Sequence, residues 1–218
     1  MKKMIIFSAV LIMTLFFFLS QNTQPNKPVT GLYPWQIDIL AEGKTRVFGL
    51  ILTETTLAEV DRLFGMQPDI AIYENKNYLT LEAYYKNVSH GGLIGSFIFT
   101  LDIPAELLQK IKKSSFKKKP VEGNELKYEL DKPAAEQVKS FIVKDLIYIP
   151  TVQLDEKIII SRFGQPAEKI KLRTKEVGWH YLYPEKGLDL IFKEDGKEIL
   201  QYAAPKNFNL LLEPLQSR

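Results

Sequence analysis

The apolar positions of this chain fall in short blocks whose period shifts between that of a strand and that of a helix. The first block is continuous. Lys2 and Lys3 precede a run from Met4 to Leu19 that only Ser8 and Thr14 interrupt. Those 16 residues lie between the core of a secretion signal and a comfortable bilayer span. A cut after Ser20 would leave Phe18 where a small residue is needed, which favours an uncleaved anchor over residues 1–20. Lysines ahead of the run put its start in the cytoplasm and the rest of the chain outside. The expected location is therefore the inner membrane, single-pass with a periplasmic body. The alternative is release into the periplasm after signal cleavage. Residues 21–31 are polar with two prolines and read as a tether.

Beyond the tether, Trp35, Ile37 and Ile39 alternate with polar neighbours, and Thr45 to Leu50 returns after the turn at Glu42-Gly43, which predicts a hairpin. Thr55 or Thr56 caps a short helix with Leu57, Val60 and Phe64 on one face, stopped by Gly65 and Pro68. Strands are expected at Ile70–Glu74, Tyr78–Tyr85 and Leu93–Asp102. Pro104 opens a helix to about Lys113, a lysine-rich loop follows, and a strand runs from Glu125 to Leu130. A second helix starts at Asp131 and Pro133 and reaches about Val143, before a short strand over Leu146–Ile149. A helix is predicted at Glu156–Phe163, stopped by Gly164 and Pro166, then strands at Ala167–Leu172, Val177–Tyr183, Leu188–Lys193 and Glu198–Ala203. Pro205–Leu212 closes the chain as a helical stretch.

One pattern occurs twice. Thr56 to Pro68 and Asp155 to Pro166 each read as a cap, a short helix ending in Phe-Gly, then a proline and antiparallel strands. The phenylalanine can anchor the helix, the glycine permits positive φ at its end, and the proline enforces an extended exit. This unit resembles the repeat of the β-lactamase-inhibitor-protein-like fold, found also in the small lipoprotein of the outer-membrane barrel-assembly machinery (the SmpA/OmlA type). The likeness covers about residues 55–102 and 155–203, and the whole chain resembles proteins of the proteobacterial envelope. It implies an α+β fold: two helix-plus-antiparallel-meander repeats with a two-helix insertion between them, preceded by an N-terminal transmembrane segment. The repeats would occupy residues 32–150 and 151–218. The resemblance also implies a binding role for the sheet face. The lipid-attachment cysteine of those lipoproteins is missing here.

Composition narrows the chemistry. The chain has 218 residues and no cysteine, which excludes disulfides, thiolate metal sites and cysteine nucleophiles. A net charge of +3 is too small to imply a nucleic-acid partner. His90 in a turn and His180 within a strand belong to different repeats and have no acidic pair at metal-ligand spacing, so no metal or other cofactor is expected. Gly91-Gly92 reads as a hairpin connection, and Gly95-Ser96 is not a nucleophile elbow. No catalytic residues emerge, although a hydrolase whose residues converge only in three dimensions stays open.

Two features are left. Trp179, Tyr181 and Tyr183 share one face of a strand, as core or as a surface for a protein partner of the envelope. Lys110, Lys112, Lys113, Lys117, Lys118 and Lys119 form a cluster suited to an anionic surface, or simply to a solvated helix end. The expected function is non-enzymatic binding or scaffolding; the alternative is contact with anionic lipid through Lys110–Lys119.

Overall fold

The computed structural model describes residues 31–76, 78–115, 117–121, 125–173 and 176–216. The expected membrane segment over 1–20, and the tether over 21–31 except Gly31, lie outside the described residues. Among the described residues no helix is long and apolar enough to cross a membrane. Residues 31–218 form one compact α+β unit.

The expected hairpin after Trp35 is a small three-stranded sheet of β1 (Asp38–Ile39), β2 (Thr45–Val47) and β3 (Leu50–Ile51). The return strand breaks at Phe48-Gly49, where both residues take positive φ, 55° and 78°. That is the tight hairpin geometry whose twist matches the flanking strands. Phenylalanine accepts this backbone because its ring is buried, against Phe97 and Tyr148 at 4.9 Å and Tyr202 at 6.0 Å.

Helix α1 (Leu57–Phe64) begins with a reciprocal cap. The Thr56 hydroxyl accepts from the Glu59 amide, and the Glu59 carboxylate accepts from the Thr56 amide at 2.8 Å. It ends at Gly65 in the left-handed region. The meander β4 (Asp69–Glu74), β5 (Leu79–His90) and β6 (Leu93–Asp102) follows, with Gly91-Gly92 at positive φ closing the β5–β6 turn. Next come α2 (Ala105–Ser114), β7 (Lys117–Val121), β8 (Glu125–Glu129), α3 (Lys132–Gln137) and β9 (Ile142–Pro150). Helix α4 (Glu156–Phe163) is capped by the Asp155 carboxylate, which accepts from the Ile158 amide at 2.7 Å. The strands β10 (Glu168–Lys171), β11 (Gly178–Tyr183), β12 (Leu188–Lys193) and β13 (Ile199–Tyr202) then lead to α5 (Asn209–Gln216).

Ten strands make one antiparallel sheet in the order β10-β11-β12-β13-β9-β6-β5-β4-β8-β7. The lysine-rich segment expected as a loop is strand β7. Its backbone pairs with β8 from Lys117 opposite Glu129 to Val121 opposite Glu125. The segment between the first and second meanders therefore carries a strand pair as well as its two helices. β7 forms one sheet edge, where lysines and Pro120 discourage further strand addition. β9 begins four residues before the expected strand, because it pairs with β6 as far as Ile142 opposite Asp102.

Helices α1 to α4 make their contacts on one face. Phe64 of α1 meets Tyr85, Phe97 and Phe99. Lys112 of α2 pairs with Glu74, Val138 after α3 joins the core, and Phe163 of α4 meets Tyr183. The same face carries Leu81, Ala83, Tyr148, Leu190 and Tyr202 in the main core.

Candidate functional site

Trp179, Tyr181 and Tyr183 do share a face of β11, and it is the face under α4. Tyr181 and Tyr183 are only 2% and 4% exposed. The Tyr181 hydroxyl donates to Glu156 at the start of α4 at 2.5 Å, and the Tyr183 hydroxyl donates to the Gly164 carbonyl at its end at 3.0 Å. Burial pushes the Tyr183 phenol up to about 12. Of the two alternatives, core or surface, Tyr181 and Tyr183 take the first as core anchors, and Trp179 is a partly exposed ring. The alternate residues His180 and Leu182 are buried too, at 8% and 2%. β11 is covered on both faces, so alternation along it cannot identify the open side.

Trp179 lines an open groove of about 340 Å³ with Glu156, Lys169, Tyr181, Phe192 and Glu194. The antiparallel register sets Trp179 opposite Phe192 and Tyr181 opposite Lys169. The Trp179 and Phe192 rings lie 6.4 Å apart and nearly parallel, 19° between planes. Beside them the Lys169 ammonium rests 4.4 Å above the Tyr181 ring and pairs with Glu156 at 2.9 Å. The Tyr181 hydroxyl and then Lys169 hold the Glu156 carboxyl below its ordinary range, and Glu156 in turn holds the Lys169 ammonium above its own. Glu194 is exposed, and among the described residues its carboxylate forms no ion pair. The site is an aromatic wall with a rim of both charges, suited to seating a side chain by stacking and charge.

The lysine cluster divides between two elements. Lys110, Lys112 and Lys113 lie on α2; Lys117, Lys118 and Lys119 lie on β7. Lys112 pairs with Glu74 and Lys119 with Glu129. Lys112 and Lys118 also stand 5.3 and 5.7 Å over the Tyr128 ring. Lys110 and Lys113 are exposed. Their helix and α3 border a second groove of about 240 Å³, lined by Leu107, Lys110 and Gln137 among others. Two of these lysines already have carboxylate partners, which weakens the cluster as a docking patch for headgroups.

The chain matches no family model, no curated protein and no solved structure.

The histidines stand apart from one another. The Nε2–H of His90 donates to the Phe48 carbonyl at 3.0 Å, and burial lowers its basicity. His180 Nδ1 lies 2.8 Å from Asp189, in a buried pair on the other face of the sheet from Trp179. Among the described residues neither histidine is hydrogen-bonded to a hydroxyl, and no group of three or more acids or histidines is arranged to hold a metal. Glu156, Lys169, Phe192 and Glu194 were not foreseen as site residues. Lys169 and Phe192 become neighbours of Tyr181 and Trp179 only through strand register, which no local pattern specifies.

Proposed function

We propose that this chain is a non-enzymatic binding or scaffold protein of the cell envelope, held at the inner membrane by residues 1–20. Its Trp179 groove takes a side chain of a protein partner. The observation that supports this is the stacked, partly exposed Trp179–Phe192 pair in an open groove that Glu156 and Glu194 also line. Partly exposed aromatics beside charge are the residues that dominate protein interfaces.

The same reading takes the body as two copies of one helix-plus-meander unit. Two matched contacts support it. Phe64 meets Tyr85 at 5.2 Å, and Phe163, 99 residues on, meets Tyr183 at 6.2 Å. The strand order β4-β5-β6-β9 is mirrored by β10-β11-β12-β13, with β9 and β13 as neighbours at the centre. The duplication of the helix-plus-meander unit is what supports reading the chain as tandem repeats of the β-lactamase-inhibitor-protein-like kind.

The test is capture of partners from solubilised envelopes by the wild-type chain and by Trp179→Ala. The reading expects lost capture with an unchanged melting temperature. Undiminished capture, or a collapse in melting temperature, would remove Trp179 from the binding role.

A further inference from the structure

The face opposite α1 to α4 carries a second, differently composed surface. Strand register lays out its rows. Glu82 of β5 stands opposite Thr100 of β6, and Thr100 opposite Asp145 of β9. One pleat further, Tyr84, Ile98 and Ile147 form the next row. Ser96 and Ile149 follow. All eight are partly exposed, and Ile94 on the same face of β6 is 50% exposed. A strip of isoleucine and tyrosine thus runs beside an acid–hydroxyl–acid row.

Among the described residues neither acid forms an ion pair. Among the described residues Glu82 accepts from the Thr80 hydroxyl at 2.9 Å and from no other group, and the Asp145 Oδ1 is buried without a hydrogen-bond partner. Burial raises both carboxyls; Glu125 adds to this at Glu82, while Lys144 opposes it and Asp102 adds to it at Asp145. A desolvated carboxylate without a cation or full hydrogen bonding is costly. A cation arriving from outside would relieve that cost at both ends of the row.

The spacing sets the kind of partner. Two acids two strands apart are separated by about 10 Å, at roughly 4.8 Å per strand. Residues seven apart on an α-helix are also about 10 Å apart, at 1.5 Å per residue. Apolar residues three and four along from the first cation lie about 4.5 and 6 Å down the helix, over β6, the strand of Thr100 and Ile98.

We propose that this face binds a basic amphipathic helix of a protein partner, with cations seven residues apart on Glu82 and Asp145. The inference rests on the reading of the chain as a binding protein and adds a second surface with its own chemistry. The probe is a labelled synthetic helix with lysines seven apart, leucines at the third and fourth positions between them, and alanine and glutamine elsewhere. Anisotropy is read against the full chain in a nonionic detergent, with empty micelles subtracted. Expected is saturable binding that weakens with salt, falls at least tenfold for E82Q/D145N and for I98N, and vanishes when the probe lysines become glutamates. E82Q/D145N should melt no lower than wild type, which separates lost contact from lost fold. Binding lost in I98N but kept in E82Q/D145N would overturn the basic-partner inference and leave the apolar face as a contact. Binding unchanged in both variants, or absent from the wild type, would overturn the inference outright, while capture through Trp179 is read separately.

Discussion

Phe163 of α4 packs against Tyr183 of β11, ring centroids 6.2 Å apart, and the Tyr183 hydroxyl donates to the carbonyl of the very next residue, Gly164. The helix is thereby clamped to the second strand of its meander by a ring and a hydrogen bond. The first helix has the same clamp with a harder load. Tyr85 meets Phe64 edge-on, and its hydroxyl donates to the buried Asp61 carboxylate at 2.5 Å. Removing that hydroxyl leaves Asp61 with Lys139 at 3.4 Å as its charge partner. Tyr85→Phe should therefore cost about 1–3 kcal/mol, and Tyr183→Phe only about 1 kcal/mol. Paired urea melts of the two variants check the order.

Phe48 combines a costly backbone with a valuable side chain. Its φ of 55° suits glycine, whereas its ring is 1% exposed within an aromatic cluster. Phe48→Ala should lose about 3–5 kcal/mol. Phe48→Gly should be no less stable than Phe48→Ala, because it loses the same ring and relieves the backbone. Chemical denaturation of both variants decides this.

Glu198 is fully buried, with one carboxylate oxygen accepting from the Leu154 amide at 2.9 Å and the other unpartnered. Burial raises its carboxyl above the ordinary range. A carboxyl raised in the folded state stabilises the fold below its unfolded value, and that contribution is lost as pH rises through the folded value. Glu198→Gln should accordingly raise the melting temperature at pH 7 and give a smaller gain at pH 4. Thermal melts across that range read the sign directly.

The lysine cluster should separate by partner. Lys112→Gln strips the half-buried Glu74 of its cation and should cost about 1 kcal/mol. Lys110→Gln and Lys113→Gln, both on the exposed part of α2, should leave the melting temperature within error. Scanning calorimetry of the three variants tests the contrast.

Local chemistry made α1 and α4 legible. Each has a capping side chain, one apolar face and a Phe-Gly stop, and the observed bounds, Leu57–Phe64 and Glu156–Phe163, are those expected. β7 was hidden because its lysines lack apolar alternation; pairing with β8 makes it a strand. The start of β9 was hidden for the opposite reason. Val138 to Val143 has helical apolar spacing, and only the ladder with β6 decides against a helix. That both meanders belong to one sheet depends on β9 meeting β13, Tyr148 opposite Leu200, a contact with no local signal. At the site, alternation placed Trp179, Tyr181 and Tyr183 on one face correctly. It could not tell which face α4 covers, since His180 and Leu182 on the other side are buried as well.

The claim that this protein grips a partner is tested most directly by photocrosslinking in intact cells, with a reactive side chain placed at Glu194 on the groove rim or at Ile94 on the opposite face. An identical group at Arg62, exposed on α1, serves as the control. The account predicts discrete higher-mass adducts from the first two positions and none from the third. An adduct-free protein at Glu194 and Ile94, or the same adducts from all three positions, would contradict it.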